Sequence, residues 1–336
     1  MLRKVTAAAA ALVVSTSLAS LSTAAAAEFS PAVVFDMGGK FDKSFNEGVY
    51  NGVERFKKES GLEYREFEVT NETQREQALR RMAQRGANPV VGVGFAQAPA
   101  LEKVAKEFPD THFAIIDAVV DLPNVRSIVF KEHEGSFLVG MIAALKSQTG
   151  KVGFVGGMDI PLIRKFACGY EQGAKFVSKD TEVVQNMTGT TPAAWNDPTR
   201  GSELAKSQFD RGVDVVYAAA GGTGVGVYQT AEDSGKLAIG VDSNQNYLHP
   251  GTMLTSMLKR VDVAAYTAFK DAHDDKWTSG IQVLGLAEDG VGWALDEYNK
   301  DLITDEMKAK VEAASADIVA GKLQVHDYMA SDSCSY

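Results

Sequence analysis

The sequence predicts an α/β protein built from two doubly wound lobes, each a small, mostly parallel sheet. Three observations point that way. Strand and helix signals alternate almost without interruption after Glu28, as parallel βαβ units require. The alternation restarts near Glu134, giving two similar halves. Removal of a 27-residue leader from the 336-residue chain leaves 309 residues, which suits two domains of about 150 residues each.

The leader is read from Arg3 and Lys4, an apolar stretch over 7–14, and Ala25, Ala26 and Ala27 ahead of Glu28. This is the pattern of a secretory signal peptide with a small-residue cleavage site. Its apolar core is too short for a permanent membrane span. With no cysteine beside the cleavage site, a lipid anchor is disfavoured, and the expected home is the periplasm. The formal charge of −10 becomes −12 once the leader is gone, which argues against nucleic acid or anionic membrane as a partner.

The first strand is the apolar run Val33, Val34 and Phe35, closed by Asp36 and a Met37-Gly38-Gly39 turn. A helix follows, with Ser44 and Glu47 at capping-box spacing, an apolar face of Val49, Val53 and Phe56, and Gly61 as its stop. Capping is the favoured role for Ser44, whereas Phe45 and Asn46 lie where the first turn of such a helix meets a crevice. The rest of the first half reads as a strand near 64–69, a helix over 73–84, PVVGVGF, a helix over 98–107, HFAIID and VRSIVF.

The second half reads as a helix over 134–147, KVGFVGG, a helix over 161–177, TEVVQNMT, a helix opened by Asp197 and Pro198, VDVVYAAAGG, a helix to Asp233, KLAIGVD and MLTSML. The tail adds a helix over 261–273, a strand near 281–286 and an amphipathic helix over 305–320. A chain that crosses three times between lobes uses these pieces to complete both. The expected division is 28–130 with about 260–284 in the N-terminal lobe, and 131–259 with about 285–330 in the C-terminal lobe.

Ligands in open parallel sheets sit at the carboxyl ends of strands. The residues expected there are Asp36, Gly94, Phe95, Asp117, Gly157, Gly221, Gly222 and Asp242. An ionised Asp only accepts hydrogen bonds, so the crevice suits a ligand rich in O–H and N–H donors. An anion would call for cations, and only Arg164 and Lys259 fall near the mouth. The balance favours a neutral polar molecule such as a sugar or nucleoside. Phe45 from one lobe and Phe166 from the other are placed to hold a flat ring between them.

Other chemistries find little support. The run from Gly222 to Gly226 fits neither phosphate-loop pattern, and neither a G-x-S-x-G elbow nor H-E-x-x-H occurs. The five histidines are scattered singly, so no metal, cofactor or catalytic residue is assigned. A secreted nucleoside hydrolase is the competing reading from another class, since clustered carboxylates activate water. A disulfide between Cys168 and Cys334 is open in an oxidising compartment, but the place of Cys334 on a tail expected to be flexible weighs against it.

Across the mature chain the residues resemble one family in particular. The motifs are DMGGKFDKSFNEG (36–48), GFAQAPALEKVAKEFPDTHFAIID (94–117), FACGYEQGA (166–174), AAGGTGVGV (219–227), IGVDSNQ (239–245) and TSMLKRVDVA (255–264). They are similar to the basic membrane protein family of ABC-transporter substrate-binding proteins, of the purine nucleoside receptor type. The resemblance implies a type I periplasmic-binding-protein fold, with two lobes joined by three crossover strands and acting as a monomer. It implies a nucleoside of the adenosine, guanosine or inosine class as ligand and an inner-membrane ABC permease as partner. Phe45 and Phe166 would stack on the base, Asp36, Asn46 and Asp117 would bond its edge, and Asp242 and Lys259 would hold the ribose, with Gly221 and Gly222 nearby. Asn244 departs from the GVDSDQ that relatives carry, which bears on fine specificity.

Overall fold

The computed structural model describes residues 29–334, besides Met1; the leader and its cleavage site fall outside the described residues. The chain opens with β1 (Ala32–Phe35), α1 (Phe45–Ser60), β2 (Arg65–Glu68), α2 (Gln74–Gln84), β3 (Val90–Val93), α3 (Ala98–Glu107), β4 (Phe113–Ile116) and β5 (Val125–Phe130). It continues with α4 (Glu132–Lys146), β6 (Lys151–Met158), α5 (Pro161–Val177), β7 (Glu182–Gly189), α6 (Pro198–Asp210), β8 (Val215–Ala219), α7 (Gly224–Asp233), β9 (Leu237–Asp242) and β10 (Met253–Lys259). It closes with α8 (Val261–His273), β11 (Gly280–Leu284), β12 (Val291–Trp293) and α9 (Asp305–Val319).

Two sheets result, ordered β11-β5-β4-β3-β1-β2 and β12-β10-β9-β8-β6-β7. All the pairings are parallel except that of β12 with β10. β1, β3 and β4 are wholly buried, as apolar strands covered on both faces must be. α1 and α8 cover one face of the first sheet, and α2 and α3 the other. In the second lobe α4, α5 and α9 cover one face, with α6 and α7 opposite. The chain passes between the sheets after β5, after β10 and after β11, so its order in sequence forces the lobes to share these connections.

Local signals account for most boundaries. α1 stops because Gly61 is left-handed, at φ 72°, with its amide on the Lys57 carbonyl. α6 starts at Asp197, whose carboxylate accepts the Arg200 amide at 2.9 Å, with Pro198 in the first turn. α4 is buried along residues 132–143 because α5, α9, β10 and β12 surround it, which is why its apolar residues run all the way round. β12 has only three residues and its sequence, VGW, is too short to carry a period, so it was not foreseen.

The cysteine expectation is overturned: Cys168 of α5 and Cys334 form a disulfide, with sulfurs 2.04 Å apart. The tail is not loose. His326 and Gln172 of α5 exchange two hydrogen bonds, from the His326 amide at 2.8 Å and from Gln172 Nε2 at 3.0 Å. Residues 328–330 then form a short turn beside α5, which brings Cys334 to its partner.

The helix pairs lie unusually close. A Cβ at Gly52 of α1 would meet the Asp262 carbonyl oxygen at 2.1 Å, and one at Gly140 of α4 would meet that of Tyr170 at 2.1 Å. Backbone cannot yield as a flexible side chain can, so Gly52→Ala is expected to destabilise the protein by about 1–3 kcal/mol. Urea unfolding would register this as a lowered midpoint with an unchanged slope.

Candidate ligand-binding site

Both sheets reverse their winding at one point, between β1 and β3 and between β6 and β8, and the crevice lies beyond those strand ends. A cavity lined by residues of both lobes occupies it, with aromatic and apolar walls and a few polar groups, as small-molecule sites have. Of the residues expected from sequence, Asp36, Phe45, Asn46, Gly94 and Asp117 line it from the first lobe. Phe166, Gly221, Asp242 and Lys259 line it from the elements of the second. Gly222 does not; a Cβ there would face the Trp195 carbonyl at 3.3 Å and the Asp42 side chain at 3.8 Å, so it lies behind the wall. Arg164 is also absent from the lining, being paired with Asp159 at 2.7 Å.

Backbone conformation aims the carboxylates. Asp117 and Asp242, each just at the end of a strand, are left-handed, with φ 72° and 63°. An L-residue occupies that region at a cost, and two such residues on one cavity mark it as a built site. Gly94, at φ 94°, leaves room for Asp36: a Cβ there would come within 3.0 Å of Asp36 Oδ2.

The charges are deeply buried and mutually paired. Lys259 is 2% exposed, and its ammonium lies 2.7 Å from Asp117 and 3.2 Å from Glu132. It also sits 5.2 Å from the ring centre of Phe45, 5.1 Å from that of Phe130 and 5.4 Å from that of Phe166, so three electron-rich faces surround it. Glu132 in turn takes Lys165 at 3.0 Å. Asp36 pairs with Arg75 at 3.0 Å. Asp117 Oδ1 is buried with no hydrogen-bond partner among the described residues, an acceptor to which a ligand donor fits.

Burial pushes the Asp42, Asp117 and Asp242 carboxyls up to about 6, with Lys259 pulling the last two back. Burial also raises Asp36, against the pull of Arg75. Glu132 stays below its usual range, since Lys259 and then Lys165 outweigh its burial. Burial lowers the Lys259 ammonium, but the charges of Asp117, Glu132 and Asp242 outweigh it and hold the ammonium well above the ordinary lysine value.

Several contributors escaped the sequence reading. Trp195 comes from a short turn over 192–195 and lies against Gly157, where a Cβ would meet its ring at 2.1 Å; the glycine expected at the crevice is there to admit this indole. Asp42, inside the quoted motif, is the true cap of α1, accepting the amides of Ser44, Asn46 and Glu47 at 2.9–3.1 Å. The capping reading of Ser44 is therefore corrected. Its hydroxyl makes no cap bond and instead donates to Asp242 Oδ2 at 2.5 Å, because Asp42 already serves the first-turn amides. Asn244 faces away from the cavity and bonds Asp296 at 2.6 Å. Among the described residues no group of three or more His, Cys, Asp and Glu could hold a metal ion.

The family model for PnrA-like ABC transporter substrate-binding proteins matches residues 29–328. The chain belongs to this family. The ABC transporter nucleoside-binding protein BmpA of Lactococcus lactis is 32% identical over 317 residues, covering 88% of each chain. An uncharacterized lipoprotein of Pyrococcus horikoshii is 38% identical over 79% of this chain and 69% of its own. A crystal structure of an ABC transporter solute-binding protein from Aeropyrum pernix superposes with a TM-score of 0.81 at 32% identity, covering 88% of this chain and 92% of that one. The fold is thus that of the solute-binding proteins, whose work is binding rather than catalysis. No helix among the described residues is long and apolar enough to cross a membrane.

For a substrate-binding protein, buried acids trade stability for recognition. An Asp242 acid raised to about 6 means that ionisation costs the folded state above that pH. The cost is relieved as pH falls through 6 and is gone below the unfolded value near 4. Asp242→Asn is therefore expected to raise stability at pH 7.5 by up to about 3 kcal/mol. The gain should shrink steadily between pH 6 and 4 in thermal melts of ligand-free protein.

Proposed function

We propose that this substrate-binding protein captures a nucleoside, of the purine class, and delivers it to an inner-membrane ABC permease. One observation carries the reading: an aromatic ring from each lobe, Phe45 and Phe166, reaches the same cavity, with carboxylates and one buried ammonium around them. Two rings suit a flat base, and the acceptors suit its N–H groups and the hydroxyls of ribose. The name of the Lactococcus relative, a nucleoside-binding protein, agrees with this assignment.

In this account Phe45 and Phe166 sandwich the base, and Asp36, Asn46 and Asp117 bond its edge. Asp242 and Lys259 hold the ribose hydroxyls, with the backbone at Gly94 and Gly221 closing the walls. The lobes comprise 28–130 with about 260–284, and 131–259 with about 285–330, and they close on the ligand by a hinge motion. The protein works as a monomer, exported by its leader and free in the periplasm, without cofactor or catalytic step.

Calorimetric titration of ligand-free mature protein with adenosine, guanosine, inosine, cytidine and ribose tests the ligand class. Saturable binding of the purine nucleosides, tighter than cytidine, is expected. Silence for every nucleoside would end the proposal, and binding of ribose alone would make the protein a sugar receptor. Chromatography after prolonged incubation should return intact nucleoside; release of free base would identify a hydrolase.

Phe45→Ala removes one face of the sandwich and is expected to weaken binding at least tenfold, since base stacking on an aromatic is worth about 1–3 kcal/mol. Its melting temperature should stay within a few degrees of the parent, because Phe45 is only partly buried at the edge of its core. Collapse of the fold instead would assign Phe45 to packing.

A further inference from the structure

Between the lobes, four hydrogen bonds join the start of α1 to the end of β9 and the loop after it. Ser44 Oγ donates to Asp242 Oδ2 at 2.5 Å and more weakly to the Val241 carbonyl at 3.4 Å, Ser243 Oγ donates to the Ser44 carbonyl at 3.0 Å, and Gln245 Nε2 donates to the Lys43 carbonyl at 2.9 Å. Ser44 and Gln245 are fully buried. These bonds link residues about 200 positions apart in sequence, and they lie beside the connection from β10 to α8: a Cβ at Gly48 of α1 would meet Val261 at 2.8 Å and Ser243 Oγ at 3.2 Å.

Each side is fixed before the two meet. On the first lobe, Asp42 holds the amides of Ser44, Asn46 and Glu47, and Lys43 is left-handed at φ 63°, which presents its carbonyl outward from the helix start. On the second lobe, Gln245 Oε1 accepts Tyr228 Oη at 2.8 Å and the Val241 amide at 2.7 Å, while its own amide donates to Ser256 Oγ at 2.9 Å. Bonds between preorganised groups lose little conformational entropy when they form.

We infer that Ser44, Ser243 and Gln245 form a latch that exists only in the closed molecule, and that Ser44 is a positioning residue for Asp242. Asp242 Oδ1 has no hydrogen bond among the described residues, whereas Oδ2 is held by Ser44. The hydroxyl of one lobe thus fixes the carboxylate of the other, leaving one oxygen for the ligand. Recognition by Asp242 and closure of the lobes become a single event. The sequence offered no hint of this, because Ser44 sits where a helix cap belongs.

The inference rests on the reading of a two-lobed clamp for nucleosides, and its test separates the two. Stopped-flow mixing with the tightest-binding nucleoside of the panel, read through Trp195 fluorescence, gives association and dissociation rates for the parent, Ser44→Ala, Ser243→Ala and Ser44→Thr. Loss of one or two such bonds should speed dissociation on the order of tenfold and leave association within about twofold. Ser44→Thr, which keeps the hydroxyl, should recover most of the loss. Unchanged dissociation in both alanine variants would overturn the latch.

If the parent binds no nucleoside, small-angle scattering of the ligand-free proteins decides the latch alone. A larger radius of gyration for Ser44→Ala than for the parent would support it while the nucleoside reading falls. Equal radii in that case would overturn both.

Discussion

The buried ammonium of Lys259 is the constraint on which the rest of this structure depends. It ends β10, it touches Asp117 at the end of β4, and it touches Glu132 at the start of α4. A cation so far from water is tolerable only with its carboxylates in place, and removing one partner from a buried pair costs several kcal/mol. The pairing therefore fixes the ends of two strands and the first turn of a helix relative to one another. Two of those points, the end of β10 and the start of α4 after β5, are where the chain leaves one sheet for the other. Around them Lys165 donates to the Phe130 carbonyl at 2.7 Å, the Lys131 amide to Leu284 at 2.9 Å and the Arg260 amide to Gly290 at 2.8 Å. One charge cluster thus organises the shared connections and furnishes the floor of the cavity.

The cluster also sets the chemistry of the ligand. Lys259 is already matched by Asp117 and Glu132, Glu132 by Lys165, and Asp36 by Arg75, so little positive charge is left for an anion. What remains unmet is acceptor capacity, at Asp117 Oδ1. A neutral molecule with several donors completes this arrangement, whereas a phosphate or carboxylate would face buried carboxylates. The raised acids at Asp42, Asp117 and Asp242 express the same fact: the site is held in a state that is costly to ionise without donors around it.

Much of this was legible in the sequence because it follows from local pattern. The apolar runs at Val33 and Val90 had to be buried strands, and Asp36, Gly94, Asp117 and Asp242 follow from asking what stands at strand ends. The parts that were not legible depend on contacts distant in sequence. Ser44 has a local role available and is diverted from it by Asp42 and Asp242. Trp195 lies in a turn without periodicity, and only its fit against Gly157 brings it to the crevice. Cys334 was read as part of a loose tail because the two bonds between His326 and Gln172, which hold that tail to α5, span more than a hundred residues. β12 exists because β10 offers it an edge, not because its three residues demand a strand.

The most direct test of the clamp is a crystal structure of the protein with the nucleoside that binds it tightest. The account predicts the base between the rings of Phe45 and Phe166, with ribose hydroxyls on Asp242 and Lys259 and a donor of the base on Asp117. A ligand bound outside this cavity, or one whose sugar lies between the two rings while its base faces Asp242, would contradict it.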